Sequence, residues 1–159
     1  MSQDVSQAMK DGMRRLASGV SVVTAVNEQG VHFAMTASSV TSVSDSPASL
    51  LVCIHKNAAL YEAIEHDKHF AVNILSAADQ AISNACAGGA EGEKRFDLGK
   101  WREVEGVRVL EQAETSFVCR LKQAVEYGTH LIAIGDIEQV FVSDAACDPL
   151  IYVDGGYQA

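Results

Sequence analysis

Between Arg15 and Lys56 the chain carries no lysine or arginine and only two acids, Glu28 and Asp45, so this segment reads as material for a protein interior. It is also rich in β-branched residues and broken by turn residues. Val20 to Val26 and Val31 to Thr36 flank the turn-rich Asn27 to Gly30, a pattern that predicts a hairpin. A stretch this uncharged and this short in its periods favours paired strands.

The same grammar recurs. Ser49 to Ile54, bounded by the turn Ser44-Asp45-Ser46-Pro47, reads as a buried strand, and so do Phe70 to Leu75, Thr115 to Val125, Leu131 to Val142 and Leu150 to Val153. Three helices are expected among them. Val5 to Ala17 places Met9, Met13 and Leu16 at helical spacing before Ser18-Gly19. Asn57 is expected to cap a second helix with Leu60, Tyr61 and Ile64 on its apolar face. Ser76 and Asp79 resemble a capping box opening a third, which reaches Cys86 and stops at Gly88-Gly89. From Gly88 to Gly99 a charged, glycine-rich loop is expected around Lys94-Arg95-Phe96, with Trp101 beyond it as a packing anchor. Many short strands with few helices favour one mainly β domain over residues 1–159, a barrel with peripheral helices rather than a doubly wound parallel sheet.

Composition removes several function classes. Twenty-one acids against twelve bases give a net charge of −9, with no basic and aromatic cluster of the kind nucleic acid requires. The first ten residues lack the apolar core of a signal peptide, and no apolar run is long enough to span a membrane, so a soluble cytoplasmic protein is expected. Cys53, Cys86, Cys119 and Cys147 form no C-x-x-C pair, and His32, His66 and His69 read as scattered surface residues, so no metal site is expected.

Positive chemistry centres on Thr36-Ala37-Ser38-Ser39-Val40-Thr41-Ser42-Val43, with five hydroxyl side chains and no charge. Polar without being ionic, it suits the edge of a flat neutral ring. No G-x-G-x-x-G spacing occurs at a strand-to-helix turn, which argues against a Rossmann dinucleotide site and leaves flavin open. A flavin phosphate would then need donors, for which Lys56, the backbone N–H groups at Asn57 and Ala58, and Arg95 are the candidates. Strand hydroxyls that merely pair across a sheet face remain the plain alternative.

Phe33-Ala34-Met35-Thr36-Ala37-Ser38-Ser39, Thr41-Ser42-Val43, Leu51-Val52-Cys53-Ile54, Phe70-Ala71-Val72-Asn73-Ile74-Leu75, Arg95-Phe96, Trp101, Gly128-Thr129-His130 and Pro149-Leu150-Ile151-Tyr152 to Tyr157 together resemble the flavin reductase-like, FMN-binding split-barrel family. The likeness runs in order along nearly the whole chain and is closest to the reductase components of two-component flavin monooxygenases. It implies a homodimeric split β-barrel that reduces FMN or FAD with NADH or NADPH and passes reduced flavin to a separate oxygenase. It further implies that Thr36, Ala37, Ser38 and Ser39 line the isoalloxazine and ribityl chain, that Ser42 and Val43 continue that wall, and that Cys53 and Ile54 flank the ring. His55, Lys56, Asn57 and Ala58 would sit beside the phosphate, Arg95 and Phe96 would close over the cofactor, and His130 would face the nicotinamide. Ala34 stands where many members have glycine, and Thr129 where many have aspartate. An FMN-retaining electron carrier and a barrel that binds no flavin are the two other classes the sequence leaves open.

Overall fold

The computed structural model describes residues 4–158. In chain order these form α1 (Val5–Met13), β1 (Ser18–Gly19), β2 (Ser21–Val26), β3 (His32–Ala37), β4 (Thr41–Asp45), β5 (Ala48–His55), β6 (His69–Ile74), α2 (Gln80–Asn84), β7 (Trp101–Val104), β8 (Val107–Leu110), β9 (Thr115–Tyr127), β10 (His130–Val142), β11 (Ile151–Val153) and β12 (Gly156–Gln158). Seven strands make one antiparallel sheet in the order β3-β2-β6-β9-β10-β5-β4. A three-stranded sheet, β1-β11-β12, and the β7-β8 hairpin flank it. The expected mainly β fold is thus present.

Local chemistry explains the first hairpin. Asn27 Oδ1 accepts from the N–H groups of Gln29 and Val31, tying the turn that returns β2 into β3. β2 is buried along nearly its full length because both its faces are covered. Val23 and Ala25 point into the barrel core with Val52, Ile54, Phe70, Val72 and Leu121, while Val22 joins Val20, Leu75, Ile82, Leu110 and Leu150 in a second core outside the barrel wall. The large sheet rolls far enough for its ends to meet: Ser39 Oγ, just past β3, accepts from Cys53 N–H at 3.1 Å and donates to Cys53 O at 3.2 Å on β5. One serine therefore sutures two strands that are five places apart in the sheet order.

β9 and β10 run thirteen residues each, and the last six of β9 are exposed, so their hairpin projects from the barrel with His130 at its tip. Gly128 makes the reversal at φ +57°. Farther along β10, a Cβ on Gly135 would lie 2.7 Å from the Phe70 ring, so only glycine lets the strand pass this close to the largest core side chain.

Several expectations are corrected. The segment after Asn57 is a five-residue 3-10 turn, Ala59–Ala63, without a side-chain cap; its Leu60, Tyr61 and Ile64 do pack on the barrel core. The helix expected from Ser76 is broken into a 3-10 turn, α2 and a wide π turn at Ala85–Gly89, and Ser76 Oγ donates to the Asp79 carboxylate instead of capping backbone. β4 is exposed throughout, so the charge-free segment is not all interior. The β7-β8 hairpin stands where no strand pair was expected, turning at Glu105 and Gly106, both at positive φ.

Two histidines expected as scattered surface residues are paired with carboxylates, and one of them, His32, is buried. His69 meets the Glu138 carboxylate at 2.7 Å, and His32, 8% exposed, meets Glu103 at 3.1 Å. Burial pushes the His32 imidazole below its ordinary value of 6.5, and the nearby Arg108 acts in the same direction against the raising pull of Glu103 and Glu93. The unfolded chain therefore binds the extra proton first as pH falls. The stabilisation contributed by neutral His32 is complete above 6.5 and is lost below it, down to the lowered folded value. Urea midpoints measured from about pH 7.5 to about 5.5 should fall in the native protein and fall less in His32→Gln. Parallel slopes would reject His32 as the source. Glu93, Glu138 and Asp67, all held low by basic partners, act only in a more acidic window.

Candidate functional site

Two clefts meet at the end of β3. The first, about 460 Å³, is lined by Thr36, Ala37 and Ser38 on one side and by Ser83, Asn84, Tyr152 and Tyr157 on the other. The second, about 620 Å³, is formed by Met35, Thr36, His55, Asn57, Ala58, the Cys86–Gly88 turn and Arg95. Thr36 and Ala87 line both. Their sizes fall in the range of cofactor sites, about 300–1,000 Å³.

The wall between them is held by hydrogen bonds from residues distant in sequence. Thr36 Oγ1 donates to Ser83 O at 2.6 Å, joining β3 to α2. Tyr157 Oη donates to Asn84 Oδ1 at 3.0 Å, so at 2.7 Å its oxygen must accept from the buried Ser83 hydroxyl. That relay fixes the Tyr157 ring, which meets Tyr152 edge-on at 5.4 Å between centroids. Thr36 and Ser39 thus use their hydroxyls on protein backbone. Ser38, exposed beside them, presents an open hydroxyl to the cleft.

Anion recognition also differs from expectation. The backbone N–H groups of Lys56, Asn57 and Ala58 are all engaged, with Thr129 O, His55 Nδ1 and His55 O respectively. The expected helix is a 3-10 turn, so the segment offers no helix N-terminus and these three N–H groups are occupied in this structure. Lys56 does not line the cleft. Arg95 does, and among the described residues it makes no ion pair, so its guanidinium is the available anion ligand, with the exposed Asn57 and Glu91 in the same lining. Cys86 lies in the same wall, its thiol pushed up to about 11 by burial, as the core thiol of Cys119 is pushed to about 12. Both stay protonated at neutral pH, and Cys86 supplies packing rather than a nucleophile.

His55 and His130 stand opposite each other in the β5-β10 register, their rings edge-to-face at 4.8 Å. Accepting from Asn57 N–H at 3.0 Å places the neutral His55 proton on Nε2. Thr129 Oγ1 lies 2.8 Å from His130 Nδ1 and orients that ring. His130 does not itself line the cleft and touches it through His55.

The remaining candidates separate. Ser42 and Val43 lie on the exposed β4. Ile54 is wholly buried in the barrel core, so its side chain cannot flank a ring, while Cys53 is half-buried with its backbone bound by Ser39. Phe96 does not close over the cleft; it packs edge-on against Trp101 at 5.2 Å. Sequence reasoning missed Ser83, Asn84 and Tyr157 as wall residues, although Tyr157 ended the stretch that carried the resemblance.

The description "Flavin reductase like domain" matches residues 13–159. The chain belongs to the flavin reductase-like family. An FMN reductase (NADH) RutF from Enterobacter cloacae is 35% identical to this flavin reductase-like chain, with 100% of the chain and 96% of that protein covered. The reductase component of an FADH(2)-dependent resorcinol hydroxylase from Rhizobium sp. is 38% identical over 99% of the chain and 88% of its own length. A crystal structure described as a putative flavin reductase from Haemophilus somnus superposes with a TM-score of 0.89 at 37% identity, covering 98% of this chain and 99% of that one. Among the described residues, no helix is long and apolar enough to cross a membrane.

Proposed function

We propose that the chain is an NAD(P)H-dependent flavin reductase that transfers hydride to FMN or FAD and supplies reduced flavin to a separate monooxygenase. The observation that carries the reading is the pair of clefts sharing Thr36, with an uncharged slot at one end and at the other Arg95, which makes no ion pair among the described residues. The donor set fits the group: a neutral wall for a ring, an open Ser38 hydroxyl for its polar edge, and a forked guanidinium for a phosphate. When bound, flavin supplies a hydride acceptor at N5 for the nicotinamide C4.

The protein's part is placement. Thr36, Ala37 and Ser38 bear on the ring and ribityl chain, Tyr157 limits the far side of the slot, and Arg95 with Asn57 fixes the phosphate. His130, aimed by Thr129 and backed by His55, orients the nicotinamide. No side chain is required to act as a proton donor, because the rate gained comes from holding two rings in contact and keeping water out.

We further propose a cytoplasmic homodimer. The four cysteines are free, as a reducing compartment favours. α1 buries none of its residues and exposes Val5, Met9 and Met13, and Leu16 just beyond it is exposed as well, each more than half, an apolar face suited to a second copy. Light scattering should return twice the 17.0 kDa chain mass. For the activity, NADH and NADPH oxidation followed with FMN, FAD and riboflavin should show flavin-dependent turnover. Flavin retained through gel filtration with negligible NADH oxidation would overturn the reductase reading in favour of an electron carrier.

A further inference from the structure

Arg95 sits on a short 3-10 turn, Gly92–Phe96, between glycines at positions 92 and 99 that both adopt positive φ. Three backbone groups help to hold that turn: Lys94 N–H donates to Glu91 O, Asp97 N–H to Lys94 O, and the Cys86 thiol lies 3.8 Å from Arg95 O. Outside the cleft a second arginine grips the same turn. Arg108 Nη1 donates to Glu93 Oε2 at 2.6 Å, and the Arg108 guanidinium lies over the Phe96 ring, 4.4 Å from its centroid. It thereby holds the residue two before Arg95 and the residue one after it. Phe96 is wedged in turn between Trp101 and His32, edge-on to both. Arg108 rests on a firm base, since its strand β8 accepts a 2.6 Å hydrogen bond from the buried Thr24 hydroxyl to Arg108 O.

We infer that Arg108 is a positioning residue for Arg95, clamping the Glu93–Phe96 turn so that the free guanidinium faces the phosphate end of the cleft. The inference rests on the proposed reading of that cleft as a flavin phosphate site. A bidentate phosphate contact depends on where the guanidinium plane stands before ligand arrives, and a turn left to order on binding loses affinity. An exposed Arg–Glu pair on an otherwise rigid surface contributes little by itself. The position of this pair, straddling the anion ligand, is what gives it consequence. Discrimination between phosphorylated flavins and riboflavin is the property it controls.

The test uses the full chain and two probes, FMN and riboflavin, with dissociation constants from flavin fluorescence. Arg95→Ala should weaken FMN about tenfold or more and leave riboflavin unchanged. Arg108→Ala and Glu93→Gln should each weaken FMN about three- to tenfold, again sparing riboflavin, and Arg108→Lys should recover part of the loss. In an Arg95→Ala background, Arg108→Ala should weaken FMN no further. Glu93→Gln breaks the clamp from its exposed side should Arg108→Ala fail to fold. Full FMN affinity in Glu93→Gln and Arg108→Ala alongside a loss in Arg95→Ala overturns the clamp and leaves the cleft reading standing. So does an equal loss of riboflavin, or a double variant whose losses multiply. Unchanged FMN affinity in Arg95→Ala overturns the cleft reading itself, and the clamp with it.

Discussion

Asn73→Leu is expected to remove about 3–9 kcal/mol of folding stability, a large share of what holds a domain of ordinary stability together. Asn73 is completely buried and uses its amide in three directions. Its Nδ2 donates to Val22 O at 3.0 Å, and its Oδ1 accepts from Leu110 N–H at 3.0 Å and Ser116 Oγ at 2.8 Å. These bonds join β6 to β2, β8 and β9, with Oδ1 shared between the β7-β8 hairpin and the large sheet. Leucine has nearly the right volume but leaves a carbonyl, an amide and a hydroxyl without partners, at roughly 1–3 kcal/mol each. Asn73→Asp separates packing from polarity, because it keeps the acceptor and sets a second oxygen against Val22 O. Urea denaturation reads both, and a loss under about 1 kcal/mol for Asn73→Leu would show that the network relaxes at little cost.

His130→Ala is expected to lower turnover with NADH on the order of tenfold to a hundredfold while leaving the FMN dissociation constant within about twofold. The ring is held from two sides, by Thr129 Oγ1 and by the edge of His55, so its loss removes an oriented group at the projecting end of β10 without opening the barrel. His55→Ala should behave differently. That side chain lines the cleft and accepts from Asn57 N–H, so its removal frees the loop that lines the cleft with Arg95 and should raise the dissociation constant for FMN. Equal effects of His130→Ala on FMN binding and on turnover would place His130 on the flavin side. Unchanged turnover would remove it from the site.

Much of the barrel is legible in the sequence because its signals are local. Asn27 to Gly30 announces the first hairpin through side-chain bonds within four residues, and the apolar runs of β5 and β6 lie between turn signals. What escapes is decided at a distance. The β7-β8 hairpin hides behind Arg102, Glu103, Glu105 and Arg108, charges that the structure turns outward or pairs across space. His32 looks like any scattered histidine until the Gly92–Phe96 turn and Glu103 cover it. The segment after Asn57 has helical spacing, yet the core takes Leu60 and Ala63 in a single tight turn. At the site, the hydroxyl run is visible as composition, but the destinations of its hydroxyls are not: Thr36 reaches across 47 positions to Ser83, and Ser39 across 14 to Cys53. Nor does spacing show that the N–H groups at Asn57 and Ala58 are already taken.

The relay from Ser83 through Tyr157 to Asn84 sets a limit on when the protein becomes competent. β9 and β10 are neighbours in the chain and can zip as soon as both have been made, whereas β5 must wait about eighty residues for its partner β10. The proposed flavin slot waits longer still, since one of its walls is Tyr157. Most of the barrel's strand pairings can therefore form before the slot has both of its walls.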